Sequence, residues 1–221
     1  MQYTNISFPE IQLRIRDGHK LRGFFGDQFR EVSPLLHNHT EDGTFRNEYP
    51  LIQYKVIGGV PQVIGLEAGS QLLIQLYTKI DKIQIEDRII PVRTKELTCK
   101  TVEAGIADQA FIYRFANPYM GLNQKNYPKY RTGKPMERES LLQRILCNHL
   151  VGFLKAFNLD TSQPVKVHSN LRERSSQFKN NKMKVFTGSF STNVLLPPAI
   201  GLGKGSARGF GAVLPIDTIG R

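Results

Sequence analysis

The sequence predicts an α+β protein built from two ferredoxin-like (RRM-like) domains in tandem, residues 1–105 and 106–221. Three observations lead there. Apolar periodicity in the first domain reads strand, helix, strand, strand, helix, strand. The second half begins to repeat that order around one long helical pattern. The 221 residues also suffice for two domains of about 100 residues, each able to bury a core.

Taken in order, residues 6–15 alternate apolar and polar as a half-buried strand does. Residues 17–30 then place Leu21, Phe24, Phe25 and Phe29 at helical spacing behind Asp17, a candidate cap. After a polar loop, the apolar runs 51–57 and 60–66 are split by Gly58 and Gly59, a hairpin signal. Residues 68–80 read as a second helix and 82–100 as one or two further strands, with the boundary near Glu103 to Gly105. In the second half, 111–115 is a short strand. Residues 137–158 carry the longest helical pattern, with an apolar face that runs from Leu141 to Phe157 and includes His149. Residues 165–174 and 183–196 form a long hairpin, and 209–216 the last strand. A second helix is not evident between hairpin and last strand; a glycine-rich loop occupies its place.

That loop sets five glycines within eleven residues, Gly201, Gly203, Gly205, Gly209 and Gly211, with Lys204 and Arg208 among them. A backbone without Cβ atoms can turn its N–H groups toward a phosphodiester at close range, and the two cations add charge at the same place. Gly201, Gly203, Lys204, Gly205, Arg208 and Gly209 are therefore expected to hold a polyanion, the alternative being a plain glycine-rich turn. Nucleotide fingerprints fail on spacing. A P-loop needs Ser or Thr directly after Gly-Lys, where Gly205 stands, and a dinucleotide pattern begun at Gly201 would need a glycine at Ser206.

Charge points the same way. The formal net charge is +11, yet residues 1–118 carry 14 Lys and Arg against 14 Asp and Glu, and residues 119–221 carry 16 against 5. Such asymmetry favours a phosphate backbone as partner, since Lys and Arg displace its condensed counterions. An acidic membrane would need an amphipathic basic helix or a lipidation motif, and neither is read. With no apolar run near the ~20 residues that span a bilayer and no signal segment over residues 1–10, a cytoplasmic protein is expected. Cys99 and Cys147 lack CxxC spacing and read as reduced structural thiols. Lys129 and Arg131 interleave with Tyr119, Tyr127 and Tyr130, so that rings would stack on unpaired bases while cations hold phosphates. Arg172, Arg174, Lys182 and Lys184 decorate the hairpin, a basic ribbon for an RNA stem; an ordinary solvated loop and hairpin are the alternatives.

Of the five histidines, His37 and His39 are paired in a polar loop behind the first helix. Imidazoles exchange protons near neutrality, which makes this pair the acid–base candidate. Lys20, Arg22 and Tyr49 are auxiliary candidates by proximity. His37, His39, Glu41 and Asp42 are also possible metal ligands, but Glu41 and Asp42 stand where the HxHxDH pattern of metallo-β-lactamase-type nucleases has Asp and His, so no metal and no cofactor are expected.

With these residues in view, the chain resembles the CRISPR-associated endoribonucleases that cut precursor CRISPR RNA within its repeats. The resemblance rests on the segment Gly201 to Gly211 directly after an apolar strand ending at Pro197 and Pro198. It is reinforced by Leu36 to His39, placed where that family keeps its catalytic histidine, and one branch has two active-site histidines separated by one residue. It implies metal-independent attack of a ribose 2′-OH on the adjacent phosphate, leaving 2′,3′-cyclic phosphate and 5′-OH ends. CRISPR repeat RNA, as a stem-loop or a single strand, is then the expected partner; other effector-complex proteins and a second copy of the chain stay open. A non-catalytic RNA-binding subunit and a metal-dependent nuclease are the competing readings.

Overall fold

A computed structural model of the chain describes residues 1–37, 49–178 and 181–216. The chain forms two compact units: Met1–Val102 together with Ser206–Gly209, and Glu103–Gly205 together with the chain from Phe210 on.

The first unit runs β1 (Gln2–Ser7), α1 (Gly18–Gln28), β2 (Ile52–Ile57), β3 (Val60–Leu66), α2 (Ala68–Leu76), β4 (Lys82–Ile85), β5 (Arg88–Pro91) and β6 (Glu96–Thr101). Its main sheet has the antiparallel order β2-β3-β1-β6, with Tyr3 opposite Leu66 on one side and Lys100 on the other. With β6 as fourth strand, this is the ferredoxin-like order. β4 and β5 pair apart as a two-stranded hairpin, so residues 82–100 hold three strands rather than one or two. The first strand spans Gln2–Ser7 and overlaps the 6–15 read from alternation only at its end. Pro9 has no N–H to donate to a ladder, and the following residues descend into the core through Phe8 and Ile11. Leu21, Phe25 and Phe29 of α1 and the following turn join Leu72, Leu73 and Leu76 of α2 in one core with Ile6, Tyr54 and Val63 of the sheet. Asp17 occupies the cap position of α1 without capping it; its Oδ2 accepts the Arg14 N–H at 3.0 Å. Gly65 lets α2 lie close on β3, since a Cβ there would run into Gly69.

The second unit runs β7 (Gly105–Phe115), α3 (Asn126–Thr132), α4 (Pro135–Ala156), β8 (Val167–Phe178), β9 (Asn181–Leu195) and β10 (Val213–Pro215). The order β10-β7-β9-β8, again antiparallel, repeats the first sheet. Only the second helix is missing from the pattern, and the glycine loop fills that stretch of chain. α4 buries Leu141, Leu142, Ile145, Leu146, Leu150, Phe153 and Leu154. It begins with Pro135 in its first turn, where no N–H is needed, and with the Lys134 N–H donating to Glu137 Oε2 at 2.7 Å. β7 is longer than the predicted strand and shifts register between Ile106 and Phe111. Among the described residues, no helix is long and apolar enough to cross a membrane.

Candidate functional site

In the first unit the histidine segment leaves a fixed support. A 3₁₀ turn, Pro34–His37, follows α1, and Leu36 within it is fully buried. The Tyr54 hydroxyl on β2 donates to the Leu36 carbonyl at 3.2 Å, tying the turn to the sheet. Only the main chain of His37 is described; His39, Glu41 and Asp42 lie outside the described residues.

Two guanidiniums come together at α1, and one of them, Arg22, lies near Tyr54. Gly18 and Arg22 are four residues apart and share a face of α1. Gly18 backs onto the loop tip, where a Cβ on it would meet Gly209 Cα at 3.0 Å and the Arg208 carbonyl at 3.2 Å. Arg208 therefore comes to the Arg22 face of the helix. Burial, and then the neighbouring Arg208 charge, lower the Arg22 pKa; the Arg22 charge in turn opposes the rise that burial imposes on the Tyr54 phenol. Like charges held together in partly dry surroundings repel, and an anion placed between them relieves that repulsion.

The other auxiliary candidates differ. Lys20 binds Asp17 at 3.1 Å and Glu86 at 2.7 Å, and its pKa is raised, first by the Glu86 hydrogen bond. These two carboxylates offset part of its attraction for a phosphate. Tyr49 is half-buried and its phenol is pushed up by burial, with a Gln53 hydrogen bond acting the other way. Such a phenol stays protonated and can donate a hydrogen bond but cannot serve as a base near neutrality.

Lys55 was not legible as a site residue. It follows Tyr54 on β2 and so faces the opposite side of the sheet, fully buried, where its Nζ donates to the Ser206 carbonyl at 2.6 Å. Burial lowers its pKa to about 7. This hydrogen bond pins the tip of the glycine loop.

The glycines of that loop have internal reasons. Gly203 has φ +81°, and a Cβ on it would lie 2.7 Å from the Tyr119 ring and 2.8 Å from the Met120 carbonyl; Gly209 has φ +95° and faces Gly18. Gly201 bridges to Ala212, and the Gly205 carbonyl accepts the Phe210 N–H at 3.3 Å. Their bare backbones thus meet protein, while Lys204 is exposed and Arg208 half-buried.

In the second unit Arg172 and Arg174 are exposed on one face of β8, shared with His168, and Lys129 and Arg131 are exposed on α3. Of Lys182 only the main chain is described. Lys184 binds Glu173 at 2.6 Å, which offsets part of its attraction for a phosphate. The three tyrosines part company. Tyr119 is buried, stacked on Phe115 at 4.6 Å between ring centroids, and Tyr130 is buried with its hydroxyl donating to Glu173 Oε2 at 2.9 Å. Neither can stack on a base; Tyr127, 39% exposed, can. His149, on the apolar face of α4, shares a 2.6 Å hydrogen bond with the Tyr119 hydroxyl, and burial followed by the Lys204 charge lowers its pKa to about 4.

Two ferredoxin-like units, with a pinned glycine loop where the last helix would stand and with cations on the loop and hairpin, define a class of tandem-domain proteins suited to a polyanion. Comparison with known proteins makes this specific: residues 1–103 match the Cas6b N-terminal domain and residues 105–216 the Cas6b C-terminal domain, and the chain belongs to the Cas6b family. It is similar to a Cas6b of known crystal structure, with 31% identity, a TM-score of 0.92, and coverage of 97% of this chain and 99% of the other. It is also similar to a CRISPR RNA processing endoribonuclease Cas6b, with 30% identity, a TM-score of 0.78, and coverage of 98% and 100%. An uncharacterized protein of Methanocaldococcus jannaschii is 27% identical over 146 residues, covering 65% of this chain and 98% of that protein.

Proposed function

We propose that the chain cuts precursor CRISPR RNA within its repeats by a metal-independent transesterification. The match of both halves to Cas6b, one relative being a CRISPR RNA processing endoribonuclease, carries this reading. One imidazole of the pair His37 and His39 takes the 2′-OH proton, the 2′ oxygen bonds to the adjacent phosphorus, and the bond from phosphorus to the 5′ oxygen breaks. The other imidazole protonates that leaving oxygen, so that 2′,3′-cyclic phosphate and 5′-OH ends result. Arg22 and Arg208 face the charge that builds on the phosphorane, and the Tyr49 phenol is an additional donor. Residues 1–105, together with Arg208 of the glycine loop, thereby supply the chemistry. Residues 106–221 hold the RNA in the cytoplasm through Lys204, Arg172, Arg174, Lys182, Lys184, Lys129 and Arg131, on a path set by Gly201, Gly203, Gly205 and Gly209.

The test compares a repeat RNA with the same RNA carrying a single 2′-deoxy nucleotide at the cut. Expected are cleavage of the first in EDTA, with cyclic-phosphate ends, and loss of cleavage of the second with binding kept. Cleavage that needs a divalent ion and survives deoxy substitution would overturn the mechanism. Binding of both RNAs without cutting would make the chain a non-catalytic RNA-binding subunit.

A further inference from the structure

A groove of about 800 Å³ opens in the second unit, between the chain leading into α3 and the β8–β9 hairpin, with Lys204 of the glycine loop on its wall. That volume lies in the range of sites that enclose a small ligand, about 300–1,000 Å³. Its lining is mixed in a particular way. Tyr127 offers an exposed ring, Gln124 an exposed amide, Met183 a half-buried apolar side chain, and Lys184 and Lys204 two ammonium groups.

Each part is held from behind. The Tyr127 N–H donates to the Asn123 carbonyl at 2.9 Å, and the neighbouring Asn126 N–H donates to Asn123 Oδ1 at 2.8 Å, which fixes the first turn of α3. Lys204 is anchored by its own N–H on the Met120 carbonyl at 3.0 Å, directly after Gly203 seated on Tyr119. Among the described residues the one carboxylate on the wall, Glu173, is met by Lys184 on one oxygen and by the Tyr130 hydroxyl on the other, and so offers little repulsion to a phosphate.

We infer that this groove takes one unpaired nucleotide of the bound RNA, its base stacked on Tyr127 and its phosphate at Lys204. The inference rests on the RNA-cutting reading above and adds a subsite to it. A flat ring, an amide and a cation within one groove suit a base, its edge and its phosphate together, and the basic excess of residues 119–221 favours a polyanion here over an uncharged small molecule.

The experiment replaces the unpaired bases of a cleavable repeat RNA, one at a time, with fluorescent 2-aminopurine and follows emission on binding to the full chain. One position should be quenched by the parent protein and by Tyr127→Phe, and should recover its emission with Tyr127→Ala. Stacking of about 1–3 kcal/mol per base corresponds to a rise in Kd of about 5- to 150-fold for Tyr127→Ala, with Tyr127→Phe near the parent. Lys204→Met should lower the slope of log K against log salt by about 0.7–0.9. If RNA is cut normally while no position responds to Tyr127→Ala and its Kd is unchanged, the subsite is overturned and the function stands. If the parent neither binds nor cuts repeat RNA, the functional reading fails and the subsite with it.

Discussion

Single side chains carry the proposed chemistry, and the histidines divide between that proposed role and the core. His37 closes the turn that Tyr54 pins through Leu36, and His39 stands two positions further on in sequence. Replacing either with Ala should slow single-turnover cleavage by about 10²- to 10⁴-fold with RNA affinity little changed, and the double variant should be hardly slower than the worse single one. Single variants that cut at the parental rate would reject the pair. His149 is the opposite case, held against Tyr119 and reluctant to charge. The unfolded chain binds a proton on this imidazole near its ordinary pKa of 6.5 and the folded chain only near 4, so protons favour unfolding across that window. His149→Gln keeps an acceptor for the hydroxyl and removes the titration. Denaturation midpoints measured at pH 7 and pH 4.5 should show the parent losing stability relative to this variant; equal losses in both would show that the group does not titrate as described.

At the level of elements, the glycine loop is shaped by what it rests on. Gly203→Ala adds a Cβ against the Tyr119 ring at a positive φ and should destabilise the protein by about 1–3 kcal/mol, measured by denaturant unfolding. A drop in RNA affinity in such a variant at unchanged stability would instead show that the glycine touches RNA. Lys55 holds the loop tip through Ser206. Its folded ammonium gives up a proton near pH 7 and its unfolded one near 10.5, so between those values the unfolded chain binds more protons and stability from this group rises with pH. The stability difference between the parent and Lys55→Met should therefore shift in favour of the parent from pH 7 to pH 10. A difference that stays flat would mean Lys55 is not buried as an amine. The same substitution leaves the Ser206 carbonyl without this donor and should slow cleavage through displacement of Arg208, an effect that Lys55→Arg would partly restore.

For the whole molecule, charge is divided between the halves as the chain is. Arg172 and Arg174, replaced together by Gln, should lower the salt slope of RNA binding by up to about two units, since each phosphate that is no longer neutralised accounts for about 0.7–0.9. Lys79 and Lys82 replaced together should leave the slope nearly unchanged. Filter-binding titrations from low to moderate salt check this, and a larger effect of the second pair would move the RNA to the other unit.

Much of this was present in the one-dimensional pattern. Local periodicity reports which face of an element is apolar, so the alternation of strands and helices, the Gly58–Gly59 hairpin and the apolar face of α4 could be read directly, as could the loop that replaces a helix between β9 and β10. The histidine pair could be picked out as a catalytic candidate, and the loop cations as RNA-binding candidates, because such chemistry is carried by residue type and spacing. Tertiary packing alone decided the rest. It buried Tyr119 and Tyr130 and left Tyr127 exposed, although all three lie among lysines and arginines in sequence. It paired Lys20 with Asp17 and Glu86 while bringing Arg22 to Arg208, and it hid Lys55 in a strand that reads as ordinary. The reason is physical. Burial and charge pairing depend on which residues meet in space across separations such as the 151 positions between Lys55 and Ser206, and no local period of the sequence encodes such a meeting.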